Sequence, residues 1–185
     1  MKKNKLYFVT GNPDKAREAS EILVNVTVKA IDIDLPELQG TPEEVVSEKA
    51  KLAYQKTKKP VIVDDTGLAF NALNGMPGIY IKHFLKAIGP KGVYKLLYGF
   101  DDKSGYSFTS IGYCDGKQTI VFTGKCNGTI VKPSSKGYGF KNGWDTIFKA
   151  NGLDDTFASI PAEIKNKISQ RKKAFDMLKK FLKNK

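Results

Sequence analysis

The sequence predicts an α/β protein with a mixed sheet. Three observations lead there: short apolar runs alternate with helical spacing in the first half, a β-rich stretch with a hairpin signal fills the middle, and a basic amphipathic helix closes the chain. With 185 residues, of which 41% are hydrophobic and 27% charged, there is material for one sizeable core and too little for two ordinary domains. A single domain over residues 1–185 is therefore expected.

Leu6 to Val9 is a strand-like apolar run, followed by Thr10-Gly11-Asn12-Pro13, in which Asn12 suits an N-cap and Pro13 the first helical position. A helix from about Pro13 to Leu23 follows. Thr41-Pro42-Glu43-Glu44 is a capping box with proline at the first turn, announcing a helix to about Lys58 that Pro60 stops. Val61-Ile62-Val63 reads as a buried strand ending in Asp64-Asp65, and helical spacing resumes over Tyr80 to Ile88 and Val93 to Leu97. Tyr106 to Cys114 and Lys117 to Thr123 are β-rich and joined by Asp115-Gly116, a two-residue hairpin signal. A further strand is expected over Gly128 to Lys132, then a Gly-rich loop from Pro133 to Gly143 and a last helix from Glu163 to Leu182.

Several function classes lack their raw material. No run of eighteen apolar residues exists and the start is too polar for a secretory signal, so neither membrane span nor export is expected and a cytoplasmic location fits. Cys114 and Cys126 are the only cysteines; in the hairpin register one lies beside the turn and the other far from it, which argues against a disulfide, and no Cys/His cluster offers a zinc site. His83 is the single histidine and, with Ile81, Phe84 and Leu85 around it, reads as structural. Carboxylates, lysines and backbone must carry any chemistry. The net charge is +12, and from Glu163 to Lys185 nine Lys/Arg face two acids. Such a field attracts polyanions, although a solvated basic helix gives the same composition.

Four features could carry chemistry. The strand, turn and helix at Leu6 to Leu23 would present unpaired N–H groups and the Lys15 charge to phosphate, though many α/β proteins have such a turn. Asp64-Asp65-Thr66-Gly67 places two acids where open α/β sheets bind ligands. Alternate strand residues face opposite ways, so the two carboxylates need different roles, and one can face Mg²⁺, unless both merely cap the next segment. Lys49 falls inside the apolar stripe of Val45, Val46, Ala50 and Ala53; Arg171 interrupts that of Ile164, Ile168, Phe175, Leu178 and Leu182. Burying an unpaired cation costs on the order of several kcal/mol, so each must meet an anion, reach a wet cleft or snorkel to the core edge. Finally, Gly137 to Asp145 combines glycines with Tyr138, Phe140 and Trp144, which could stack on a base or simply pack.

Together these segments resemble the inosine triphosphate pyrophosphatase family, which hydrolyses non-standard purine nucleoside triphosphates such as ITP, dITP and XTP. The resemblance runs nearly end to end. Its anchors are Phe8-Val9-Thr10-Gly11-Asn12, Leu35-Pro36-Glu37-Leu38-Gln39-Gly40, Val63-Asp64-Asp65-Thr66-Gly67-Leu68, Ala72 to Tyr80, Gly143-Trp144-Asp145 and Ser169-Gln170-Arg171. It implies an elongated mixed β-sheet flanked by helices, in two lobes with a central cleft. It also implies a homodimeric hydrolase that releases nucleoside monophosphate and pyrophosphate and so cleanses the nucleotide pool.

By the same resemblance Thr10, Gly11, Asn12, Pro13, Asp14 and Lys15 hold the triphosphate, and Lys49 and Lys82 contact phosphates. Glu37 and Asp65 are the metal ligands, for Mg²⁺ or Mn²⁺ in its place. Asp65, Glu37 and Lys49 form the catalytic set, with Asp65 activating water, and Asp65 and Thr66 belong to the nucleotide site. Gly143, Trp144, Asp145, Lys165, Gln170 and Arg171 fall at the base-recognition end. Two positions depart from the family pattern: Gln170 stands where histidine is usual, and Lys141-Asn142 intervene where a Phe-Gly directly precedes the Trp-Asp pair. Either Phe140 stacks on the base through a bulged loop, or Asn142 occupies that position without stacking. Two other functions would suit the composition: a nucleic-acid-binding module using the basic C-terminal helix, and a pyrophosphatase for another modified nucleotide. Nucleic acid is not the partner the resemblance implies.

Overall fold

The computed structural model describes residues 5–23, 26–134 and 143–185. Its elements, in chain order, are β1 (Lys5–Val9), α1 (Pro13–Ile22), β2 (Thr27–Ile31), α2 (Pro42–Thr57), β3 (Val61–Phe70), β4 (Pro77–Gly78), α3 (Ile81–Lys95), β5 (Ser104–Cys114), β6 (Thr119–Ile130), β7 (Phe148–Ala150), α4 (Ala162–Ile168) and α5 (Gln170–Lys183). The strands make one seven-stranded mixed sheet in the order β2-β1-β3-β5-β6-β7, with β4 paired to β3 off this path. β1 runs parallel to both β2 and β3, whereas β4 and β7 are antiparallel to β3 and β6. The α/β class and mixed sheet are those expected.

The chain divides into two compact units. The first comprises residues up to Asp65, Thr109–Gly124 and Arg171–Lys185. Here the sheet is buried on both faces, which explains why β1 and the start of β3 are continuous apolar runs. Leu6, Phe8 and Ile62 point to one face, into a cluster with Ala19, Leu23, Phe175 and Leu178 of α1 and α5. Tyr7, Val9, Val61 and Val63 point to the other, against Val46, Ala50 and Ala53 of α2. Each such side chain withdrawn from water contributes roughly 1.5–3 kcal/mol. Gly112 lets α2 approach β5: an added Cβ would lie 2.5 Å from the Val46 carbonyl oxygen.

The second unit comprises Thr66–Phe108 and Lys125–Gln170. Its core joins Leu68 and Phe70 of β3, Ile81, Val93 and Leu97 around α3, and Ile130, Phe148 and Phe157. The two helical segments expected around residues 80–97 are present within α3, separated at Gly89, whose φ of 64° and ψ of 175° are not helical, with Pro90 next in the chain. Cys114 and Cys126 are both buried, in different apolar clusters. His83, read as structural, is instead exposed on α3.

Other boundaries moved for identifiable reasons. β3 does not end at Asp64-Asp65; it runs on to Phe70, so the acid pair lies within the strand. Gly67 permits this, because Phe108 occupies the space where its Cβ would stand, at 2.2 Å. The two strands expected over 117–132 are the single β6, since Gly128 serves close approach of Phe148 and Lys149 on β7 and makes no turn. The hairpin loop is longer than two residues: Asp115 accepts from the Lys117 and Gln118 amides, both at 3.0 Å, and β6 starts only at Thr119. The terminal helix is two helices, broken at an extended Ser169 (ψ 156°). Ile164 is exposed and Ile168 packs in the second unit, so neither shares a stripe with Phe175 and Leu178.

Candidate functional site

The β1–α1 turn is built by its own polar side chains. Asn12 caps α1, its Oδ1 accepting from the Asp14 amide at 2.9 Å and the Lys15 amide at 3.4 Å. Thr10 Oγ1 accepts from the Asn12 amide at 3.1 Å, and Pro13 has no N–H. The donors that sequence reasoning left unpaired are therefore already covered, and phosphate would compete with Asn12 and Thr10 for them. Gly11 lies against Asp32, whose Oδ1 would be 3.1 Å from an added Cβ. Asp14 pairs with Arg17 at 2.7 Å.

A pocket of about 300 Å³ opens beside this turn. It is lined by Thr10, Gly11 and Lys15, by Asp32 to Leu35 and Glu37 from the segment after β2, by Lys49 of α2, and by Val63 and Asp64 of β3. The capping box at Thr41 and Glu44 fixes the start of α2: Thr41 Oγ1 accepts from the Glu44 amide at 3.3 Å, while Glu44 accepts from the Thr41 amide at 2.9 Å. Two turns on, Lys49 reaches Asp65 at 3.3 Å and Glu37 at 3.8 Å. The cation in the apolar stripe thus meets the two acids assigned to metal.

Strand alternation gives the acid pair its division of labour. Asp65 faces α2 and Lys49. Asp64 faces the opposite side, where its carboxylate is 1% exposed. Its Oδ1 accepts from Lys15 Nζ at 2.9 Å and its Oδ2 from Arg171 Nε and Nη2 at 3.4 and 3.3 Å. Arg171 also donates through Nη1 to Glu18 at 2.6 Å. Burial pushes the Asp64 carboxyl up, but Lys15 and Arg171 together outweigh it and hold the group below its ordinary range. The same pairing raises Arg171 against the effect of burial. Arg171 meets anions at the start of α5, although the apolar stripe it was expected to interrupt is divided between two helices.

The remaining sequence-assigned residues belong to the second unit. Asp145, 5% exposed, accepts from Lys165 at 2.6 Å. Gly143 and Trp144 open the short 3₁₀ turn that holds Asp145. Trp144 packs edge-on against Phe148 with ring centroids 5.9 Å apart. Gln170 is buried and accepts from Ser107 at 3.1 Å. Thr66 lies in β3, and Lys82 is exposed in the first turn of α3. Phe140 and Asn142 lie outside the described residues.

Glu18 and Ser107 were not singled out from sequence, and Asp64 was read as half of an acid pair whose partners were not named. For Asp64 a signal existed, the period of two, which required a second set of partners. Nothing local links Glu18 to Arg171, which are 153 positions apart.

Strand, self-capped turn, helix and a lysine-bordered carboxylate pair define an α/β protein with a charged pocket beside the β1–α1 turn, lined by Lys15 and Lys49 and by Asp32, Asp34, Glu37 and Asp64. The chain belongs to the Ham1 family, whose model matches residues 6–181. It is 45% identical over 179 residues to an inosine triphosphate pyrophosphatase of Yarrowia lipolytica, covering 95% of this chain and 94% of that one. Its fold is similar to the Ham1 protein of Staphylococcus aureus (TM-score 0.82, 28% identity, 98% of this chain and 99% of that one). It is also similar to a HAM1 protein of Coxiella burnetii (TM-score 0.86, 26% identity, 98% and 100%).

Proposed function

We propose that this chain hydrolyses non-standard purine nucleoside triphosphates, ITP, dITP and XTP, to the nucleoside monophosphate and pyrophosphate, acting in the cytoplasm as a homodimer to cleanse the nucleotide pool. The supporting observation is the juxtaposition of Lys49 with Asp65 and Glu37 beside the Thr10–Lys15 turn. The similarity to an inosine triphosphate pyrophosphatase over 95% of the chain agrees with it.

Among the described residues no group of three or more His, Cys, Asp or Glu forms a metal cage. Mg²⁺ does not need one: it takes one or two carboxylates and completes its shell with water and substrate phosphates. Glu37 and Asp65, two hard oxygen donors on one lysine, fit that demand. Bound there, Mg²⁺ would offset charge on the phosphoryl oxygens.

In the proposed reaction Asp65 takes a proton from a water whose oxygen bonds to the α-phosphorus. The bond from that phosphorus to the bridging oxygen breaks, and pyrophosphate leaves with the electron pair. Lys15 and Lys49 offset the charge that develops on it. A 6-oxo purine presents an acceptor where adenine presents a donor, so a fixed Arg171 donor favours the former. Trp144, Asp145, Lys165 and Gln170 are the further residues we assign to the base.

Incubation with a panel of triphosphates plus Mg²⁺, with pyrophosphate and orthophosphate both measured, tests this reading. ITP and XTP should release pyrophosphate well ahead of ATP. Orthophosphate as the product, or equal turnover of ATP, would overturn it. Chelation by EDTA should abolish turnover, and added Mg²⁺ should restore it.

A further inference from the structure

Asp64 is the one acid of the motif for which the proposed chemistry has no task. Its surroundings nevertheless are the most fully specified in the first unit. A carboxylate is an acceptor with two oxygens. Here one oxygen takes the lysine from the first turn of α1, and the other takes two nitrogens of an arginine delivered by α5. The two cations come from elements 156 residues apart in sequence and share one anion buried to 1% exposure. Without that charge, Lys15 and Arg171 would face each other across a poorly solvated space. Lys15 would then swing away and Arg171 would turn toward Glu18, its remaining anion at 2.6 Å, because like charges in such surroundings repel more strongly than in water.

We propose that Asp64 is a positioning residue that couples the grip on the polyphosphate to the choice of base: by holding Lys15 on one oxygen and Arg171 on the other, it fixes both cations relative to each other. This rests on the reading above, which gives phosphate to Lys15 and the base to Arg171. It adds that neither cation acts independently. Asp64 lines the pocket, but its two oxygens are taken by Lys15 and Arg171, so its part is to hold these cations; its partner in sequence, Asp65, faces Lys49 on the other side of the strand.

The test compares wild type with Asp64→Asn, Arg171→Ala and the double variant. Each is assayed for kcat/KM on ITP and on ATP and for competitive inhibition by inorganic tripolyphosphate, which probes the phosphate end alone. Asp64→Asn should weaken tripolyphosphate binding and reduce the ITP-to-ATP ratio, each by roughly tenfold or more, the size of a lost charged hydrogen bond. The double variant should discriminate no worse than Arg171→Ala, because coupled residues are non-additive. Arg171→Ala alone should also weaken tripolyphosphate binding, through Asp64 and Lys15.

Asp64→Glu keeps the charge and guards against a variant that fails to fold; it should recover tripolyphosphate binding relative to Asp64→Asn. An equal loss on ITP and ATP in Asp64→Asn, with unchanged tripolyphosphate inhibition, would overturn the proposal. So would additive losses in the double variant. If wild type itself fails to prefer ITP, the functional reading falls. The coupling then stands or falls on whether Arg171→Ala changes tripolyphosphate affinity, measured by calorimetry.

Discussion

Asp64 and Asp65 are adjacent in β3 and serve opposite sides of the sheet: the first is enclosed by Lys15 and Arg171, the second meets Lys49. The peptide geometry of a strand is enough to produce this separation. It gives one dipeptide two separate environments, one closed by the ion pairs of Lys15 and Arg171 and one facing Lys49 of α2.

Asp65→Asn should lower kcat on ITP by roughly 10²–10⁴, the contribution of a positioned general base. Its side chain is partly exposed, so the thermal midpoint should stay close to wild type. Pyrophosphate release and a thermal melt on the same sample check both expectations; retained turnover would remove Asp65 from the reaction.

Thr41→Ala deletes half of the capping box at the start of α2. The expected loss is about 1 kcal/mol, or about 2–4 °C in melting temperature for a chain of this size. Because Lys49 lies in the packed middle of the helix, kcat on ITP should change less than twofold (~0.4 kcal/mol). A large fall in turnover with an unchanged melt would mean that the cap matters to the site and not to the helix.

Gly112→Ala introduces a methyl group 2.5 Å from the Val46 carbonyl oxygen and 3.0 Å from the Ala50 Cβ. Neither can yield without moving α2 from β5. Overpacking of this kind costs roughly 1–3 kcal/mol, and displaced α2 carries Lys49 with it, so stability and turnover should fall together. Urea denaturation paired with kinetics decides; full activity in a destabilised variant would show that α2 absorbs the shift.

Asp115 supplies a pH test away from the pocket. Burial pushes its carboxyl up, but Lys185 and the Lys117 and Gln118 amides outweigh this and hold it well below the usual range. A lowered folded value means a contribution that is complete above the ordinary carboxylate value, about 3.9, and is lost as pH falls below it. Asp115→Asn should therefore be less stable than wild type at pH 6, by an amount that stays constant to about pH 4 and shrinks below it. A gap that widened on acidification would contradict the assignment. Urea midpoints across that range measure it.

Much of the molecule was legible because its signals are local. The capping box, the Asn12 cap and the Pro42 start are short-range patterns, and each appears where expected. Strands and helices whose glycines answer to distant neighbours were less so: Gly67 and Gly128 make room for Phe108 and Phe148, and a reader of sequence sees only potential turns. β2 went unread because an edge strand with one partner shows little apolar alternation. The misfit of Lys49 in an apolar stripe did point to anions, whereas the identity of those anions required the fold; for Arg171 the stripe itself was misread, since Ile164 and Ile168 belong to α4. Glu18 gave no sign at all, being an ordinary exposed-looking acid on a helix.

The arginine that completes the Asp64 cluster arrives 107 residues after that acid. A growing chain can therefore lay down β1, α1, α2 and β3 and still leave a carboxylate sunk in the protein with one lysine for company. Only when the final helix emerges from the ribosome does the charge balance close. The cluster lacks a member until α5 has been made, and a product truncated ahead of α5 would carry the motifs of the site with an incomplete set of counter-charges.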